Sequence, residues 1–188
     1  SFFPAKPLGC YGDGGAIFTN DDELAYKMKS IRVHGSGADK YENVRFGING
    51  RLDTIQAAIL LEKIEIFDAE LELRNRVADY YTQNINKTCI PPHIPNNYYS
   101  SWAQYSVVLP NSINRSELMK KLNEKNIPSM VYYKIPNHLQ EGYSRYKNKE
   151  GDFKVSEDIS KRILSLPMHP YLDESSQNKV LNFLNKIN

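Results

Sequence analysis

An α/β fold is predicted by three features of the sequence. A glycine-rich turn leads into the apolar run Ala16-Ile17-Phe18-Thr19, which reads as a short buried strand. From Leu52 to about Tyr81 the chain is apolar at helical spacing over a length well beyond an ordinary globular helix. Past residue 100 the order strand, helix, strand points to a smaller α+β lobe. With 188 residues the chain is long enough for one ordinary core, or for a lobe plus a smaller domain. Its 24 basic and 22 acidic residues leave a formal charge of +2, which offers no electrostatic ground for nucleic acid or an anionic membrane as the main partner. No apolar run approaches the roughly 18 residues of a membrane span. Cys10 and Cys89 lie far apart without metal-ligand spacing, so they read as packing thiols in a reducing cytoplasm, and no metal site is expected.

Taken in order, the first element is a turn. Pro4 and Pro7 flank Lys6, rule out a regular helix and stiffen the backbone, so the lysine can be aimed. On residue type alone Lys6 is a surface charge and Gly12-Asp13-Gly14-Gly15 a turn. After the strand, Asn20-Asp21-Asp22-Glu23 supplies a cap and an acidic first turn for a helix to about Arg32, with Leu24, Met28 and Ile31 on one face. The segment from His34 to Tyr41 is a polar, glycine-punctuated loop of the kind that often carries function. The long segment after Leu52 passes through Ile55, Ile59, Ile64, Phe67, Leu71, Val77 and Tyr80, all read as core; its length suggests a break or bend and a role joining two lobes. Residues 84 to 99, rich in Asn and Pro, form a connection.

In the second lobe, Trp102 to Leu109 alternates as a strand, Asn114 and Glu117 open a helix to about Lys125, and Ile127 to Tyr133 returns as a second strand. Glu141 to Phe153 is a tyrosine-dotted surface loop, and Ser156 to Ser165 a short helix. Pro167 and Pro170 hold His169 in a turn, and Asp173 caps a last helix to about Lys186, packed through Val180, Leu181 and Leu184. The domains are drawn as 1–75 and 76–188.

Four stretches resemble motifs of the DegT/DnrJ/StrS family of pyridoxal-phosphate-dependent sugar aminotransferases. These are Ser1-Phe2-Phe3-Pro4-Ala5-Lys6 with its glycine cluster, Gly47-Ile48-Asn49-Gly50-Arg51-Leu52-Asp53 with Gln56-Ala57-Ala58, Val131 to His138, and Leu166-Pro167-Met168-His169-Pro170-Tyr171-Leu172. The resemblance implies the end of the large domain of a fold-type I aminotransferase followed by a small C-terminal α+β domain. It implies that Lys6 holds pyridoxal 5'-phosphate covalently and that Ser1 contacts the cofactor phosphate. Asn49 would reach the cofactor phosphate of the other subunit of a homodimer with shared active sites, and Arg51 would serve the same neighbouring site. His34, in Arg-x-His-Gly, is expected near the site, and Tyr132 and Tyr133 at the substrate. Here the third motif departs from the family: Tyr132 stands where His is usual and Lys134 where Pro is usual, which puts the Tyr132 contact in doubt. On residue type Tyr133 is equally a core tyrosine.

The implied activity is transfer of an amino group from glutamate to a nucleotide-linked keto-sugar. A branch of the family that dehydrates sugars carries His at the lysine position, so Lys6 favours transfer. The first and last motifs look most like members acting on a UDP-linked 3-keto-hexuronic acid, for surface polysaccharides such as lipopolysaccharide; the alternative is a UDP- or dTDP-linked 4-keto-6-deoxy sugar. The chain starts without methionine at the middle of the implied site, so it is expected to be a fragment, inactive when isolated, and a non-catalytic structural or dimerisation role is the remaining alternative for it.

Overall fold

The structure is a computed structural model that describes residues 1–39, 41–86 and 89–186; Lys40 of the polar loop, Lys87 and Thr88 of the connection, and residues 187–188 lie outside the described residues. The chain divides into two compact units, Ser1–Asp68 and Ala69–Asn188, and the division falls inside the long helix.

The first unit is built around the lysine turn. Residues 4 to 8 form turns closed by Lys6 N–H donating to Phe3 O at 2.9 Å. Phe2 N–H donates to Gly14 O and Cys10 N–H to Phe2 O, both at 2.8 Å, folding the glycine cluster back beside the turn. Cys10 is fully buried, and its thiol donates to the carbonyls of Phe2 and Gly12 at 3.0 and 3.1 Å. Ala16–Thr19 forms no strand: no partner strand pairs with it among the described residues, and Phe18 is 92% exposed. Helix α1, Asp22–Ile31, begins where the sequence places its cap, with Asp21 accepting from Leu24 N at 2.9 Å. Leu24 and Ile31 on its apolar face remain partly exposed.

Helix α2, Thr54–Asn84, is one continuous helix of 31 residues, without the expected break. Nor is its apolar stripe uniformly core, because Ile55 and Ile64 are exposed while Leu60, Val77, Ala78 and Tyr81 are buried.

The second unit holds the larger core. Strand β1, Tyr105–Val108, pairs antiparallel with β2, Ile163–Leu166, in the register Tyr105 to Leu166 and Val108 to Ile163. This corrects two expectations. Ile127–Tyr133 is not the second strand, contributing only a bridge from Met130 to Ser165, and the helix expected at 156–165 is α4, Lys154–Arg162, running directly into β2. Helix α3, Arg115–Glu124, is capped by Asn114 Oδ1, which accepts from Ser116 N and Glu117 N at 3.0 and 3.2 Å. Helix α5, Glu174–Leu184, is capped by Asp173. Val107, Leu122, Leu164, Val180, Leu181 and Leu184 meet the Tyr81, Trp102 and Tyr105 rings in the core. Burying each such aliphatic side chain contributes about 1.5–3 kcal/mol relative to exposure. The surface loop expected at 141–153 is exposed throughout to Ser156 and contains a short 3-10 helix at Glu141–Tyr146; another lies at Asn137–Leu139.

Candidate functional site

The lysine turn is held against the first half of α2 by side chains of Gln56 and Lys63, with Leu60 buried between them in the helix sequence. Gln56 Oε1 accepts from Tyr11 N at 2.8 Å, Leu60 is buried, and Lys63 Nζ donates to Gly9 O at 2.6 Å while lying 5.3 Å from the Tyr11 ring centroid. Positions 56, 60 and 63 recur at helical spacing, so one stripe of α2 serves as the seat for Gly9–Tyr11. Lys6 is exposed, and its amine has no hydrogen bond or ion pair among the described residues. An accessible primary amine on a stiff backbone meets one requirement of covalent capture of an aldehyde. Ser1, also exposed, accepts from Phe3 N at 3.4 Å through Oγ.

A second group of side chains stands on a short ladder after α1. Ile48 N–H donates to Ile31 O, Gly50 N–H to Arg32 O and His34 N–H to Ile48 O, at 2.8, 2.8 and 3.0 Å, with Val33 bridged to Asn49. The ladder closes because two glycines let backbones touch: a Cβ on Gly47 would lie 2.0 Å from Gly35 N, and one on Gly35, at φ 76°, would lie 1.8 Å from Arg45 O. His34 itself adopts the left-handed region at φ 60°, a conformation a non-glycine residue holds only when its surroundings impose it. Asn49, Arg51 and His34 are all exposed. Arg51 Nε donates to Asn49 Oδ1 at 3.0 Å, which fixes the amide and leaves Nδ2 as an outward donor beside the guanidinium. An amide donor next to a guanidinium is a suitable receiver for a phosphate or carboxylate.

The structure therefore brings His34, Asn49 and Arg51 together on one ladder and Ser1 with Lys6 on one turn, with no hydrogen bond between the two groups among the described residues. A primary amine, a hydroxyl, an amide and a guanidinium make a donor set that fits an aldehyde cofactor bearing a phosphate. Among the described residues no cluster of His, Cys, Asp and Glu is placed to hold a metal ion, and no helix is long and apolar enough to cross a membrane.

Tyr132 and Tyr133 belong to the second unit, where they line an open cleft of about 490 Å³ together with His138, Phe153, Ser156 and Ile163. Their rings meet edge to face at 5.5 Å. Tyr133 is 69% exposed, so it is not a core tyrosine. His169 is exposed, with its carbonyl accepting from Leu172 N, and Tyr171 OH donates to Glu70 Oε1 at 2.7 Å, tying the Pro-Met-His-Pro turn to α2 within this unit. That bond raises the Tyr171 phenol above its ordinary range.

Sequence reasoning missed two kinds of residue. Gln56 and Lys63 seat the lysine turn; Gln56 sits in a quoted motif and was the available signal. Glu157 on α4, buried and bonded to His138 at 2.9 Å, had none, since acidic residues near a helix start are ordinary.

The model of the DegT/DnrJ/EryC1/StrS aminotransferase family matches residues 1–185. A UDP-2-acetamido-2-deoxy-3-oxo-D-glucuronate aminotransferase of Pseudomonas aeruginosa is 46% identical over 177 residues, 94% of this chain and 47% of the relative. A pleiotropic regulatory protein of Geobacillus stearothermophilus is 43% identical over 185 residues, 96% of this chain and 49% of the relative. Among solved structures, a DegT DnrJ EryC1 StrS aminotransferase from Brucella abortus superposes with a TM-score of 0.90 at 50% identity, covering 97% of this chain and 48% of its own. The chain spans about half the length of the curated relatives it matches.

Proposed function

Since the chain belongs to the DegT/DnrJ/EryC1/StrS aminotransferase family, we propose that the protein containing it transfers an amino group from glutamate to a UDP-linked 3-keto-hexuronic acid, using pyridoxal 5'-phosphate. The observation that carries this reading is the 46% identity, over 94% of the chain, to an enzyme named for amination of such a sugar. The product would supply amino uronic acids for surface polysaccharides such as lipopolysaccharide, made in the cytoplasm. In keeping with that compartment, Cys10 and Cys89 are buried and form no disulfide.

When bound, the cofactor supplies an electron sink for the carbanion formed as the amino group moves. Lys6 Nζ would hold the cofactor through its aldehyde carbon, and its free amine would serve as the base and acid that moves a proton off the donor α-carbon in one half-reaction and onto the sugar carbon in the other. Ser1 Oγ and Asn49 Nδ2 would donate to the cofactor phosphate. Arg51, its Nε committed to Asn49, offers its terminal nitrogens to an anionic group of the substrate. His34, Tyr132 and Tyr133 are assigned to the substrate. Asn49 and Arg51 are assigned to the partner's site in a homodimer. The exposed ladder supports this: Phe46 and Ile48 beside it are solvent-facing apolar residues suited to cover by a second copy. The chain by itself is proposed to be inactive, in keeping with its spanning half the length of its relatives.

The test uses the full-length protein and its Lys6→Ala variant. Wild type should show the visible absorption of bound pyridoxal phosphate and convert the keto-sugar and glutamate to a product of the aminated mass. The variant should lose both. An absorption band unchanged by the substitution would overturn the assignment of Lys6, and amination of a 4-keto-6-deoxy sugar in place of the hexuronic acid would move the substrate to the alternative class. A regulatory role is the second reading, on the 43% identity to the pleiotropic regulatory protein; turnover of the keto-sugar separates the two.

A further inference from the structure

In the second unit a single carboxylate gathers three separated points of the chain. Glu157 Oε1 accepts from His138 Nε2 at 2.9 Å, from Gly151 N at 2.9 Å and from Phe153 N at 3.2 Å, and Oε2 also faces Gly151 N at 2.9 Å. Both side chains are withdrawn from solvent, His138 at 8% exposure and Glu157 at 9%. The imidazole packs on the Phe153 ring at 4.8 Å. Burial is the largest single influence on Glu157 and pushes its carboxyl up, but the Gly151 amide, His138 and the Phe153 amide together outweigh it and hold the carboxyl below the usual range. Glu157 is therefore an acceptor only at neutral pH, and Nε2 of His138 carries the hydrogen between them.

The chain between these points is an exposed excursion: residues 141 to 150 are all solvent-facing. Beyond the Glu157 N to Phe153 O bond that opens the helix, it is linked to α4 by a surface pair, Lys161 with Glu150 at 3.9 Å, of the kind that contributes little. His138 and Phe153 at the two ends of the excursion are also wall residues of the 490 Å³ cleft that contains Tyr132 and Tyr133. Releasing the carboxylate from either end would free the wall and leave a buried carboxylate or a buried imidazole short of a partner.

We propose that Glu157 and His138 are positioning residues for that cleft: their clasp holds the 138–153 excursion closed on α4, so that the wall facing Tyr132 and Tyr133 is formed before a sugar nucleotide arrives. The inference rests on the aminotransferase reading for the identity of the ligand, while the clasp itself does not. A preformed wall lowers the ordering cost of binding and acts on affinity more than on chemistry.

The test is steady-state kinetics with the UDP-linked keto-sugar on the full-length enzyme carrying His138→Phe, His138→Asn, Glu157→Gln, or His138→Phe with Glu157→Gln. His138→Phe keeps a ring against Phe153 and removes the donor; His138→Asn keeps a donor. Expected are a rise in KM of about tenfold with kcat within about twofold for His138→Phe, partial rescue in His138→Asn, and a double variant no worse than its worse single parent. Unchanged KM in a folded His138→Phe enzyme, or additive effects of the two single changes, overturns the proposal. Hydrogen exchange at the Gly151 and Phe153 amides reads the clasp independently of turnover. Exchange at least tenfold faster in His138→Phe supports it, and equal exchange overturns it. A wild-type enzyme without keto-sugar turnover would refute the functional reading, leaving the exchange measurement to decide the clasp.

Discussion

Gly47→Ala is the smallest change expected to disable the ladder that presents Asn49 and Arg51. The new Cβ would fall 2.0 Å from Gly35 N, 2.4 Å from His34 C and 2.7 Å from Ile31 O, all backbone atoms that no rotamer change can move. To restore ordinary contact the two segments must part by about 1.5 Å. That separation breaks the bonds of His34 N to Ile48 O, Ile48 N to Ile31 O and Gly50 N to Arg32 O. At about 0.5–1.5 kcal/mol net for each, the local cost is about 3 kcal/mol, enough to displace Asn49 and its bonded Arg51. Gly50→Ala is the matched control, since its Cβ would press on the flexible end of Ile48, at 3.0 Å, and meet Arg32 Cβ at an ordinary 3.5 Å. In the full-length enzyme Gly47→Ala is expected to lower kcat/KM at least tenfold and weaken retention of pyridoxal phosphate, with Gly50→Ala within about threefold of wild type. Wild-type behaviour in Gly47→Ala, or equal damage from Gly50→Ala, would refute the reasoning.

Two further outcomes can be checked. If Asn49 serves the partner's site, Lys6→Ala and Asn49→Ala proteins, each inactive, should recover about one quarter of wild-type activity when unfolded together and reassembled at equal amounts, because half of randomly formed dimers carry one intact site; no recovery would rule out shared sites. Asp173 accepts from Ser176 N at 2.7 Å, and that bond holds its carboxyl below the usual range. The folded value lies under the unfolded one, so its stabilising contribution is complete above pH ~4 and fades as pH falls through the folded value. Asp173→Ala should therefore lose more stability at pH 6 than at pH 2.5 in denaturant titrations, and an equal loss at both would contradict the assignment.

Helices were the most legible part of the sequence because their ends are chemically marked. Asp21, Asn114 and Asp173 each accept the amide bonds that their positions predict. Strands were legible only where a partner existed. Ala16–Thr19 has the composition of a buried strand, but pairing is not encoded in four residues, and without a partner Ile17 and Phe18 are exposed. Ile163–Ser165 reads from the sequence as the end of a helix because so short a segment has no period long enough to distinguish the two states. At the site, motifs singled out Lys6, Asn49 and Arg51, whereas the Arg51 to Asn49 bond, the α2 seat and the Glu157 clasp depend on geometry that spacing does not contain. Asn49 and Arg51 are two residues apart in any conformation; only the ladder turns their side chains toward each other.

The Cys10 thiol, fully buried with both of its contacts to carbonyls of the lysine turn and glycine cluster, gives this region an internal clock. A thiol in that position can be alkylated only in moments when Phe2 and Gly12 draw away from it. In a Cys89→Ser background the rate of modification thus counts how often the platform beneath Lys6 opens. Ligands that engage the lysine from above would slow that count without touching the sulfur, so the frequency of a backbone fluctuation becomes readable from a side chain that takes no part in the chemistry.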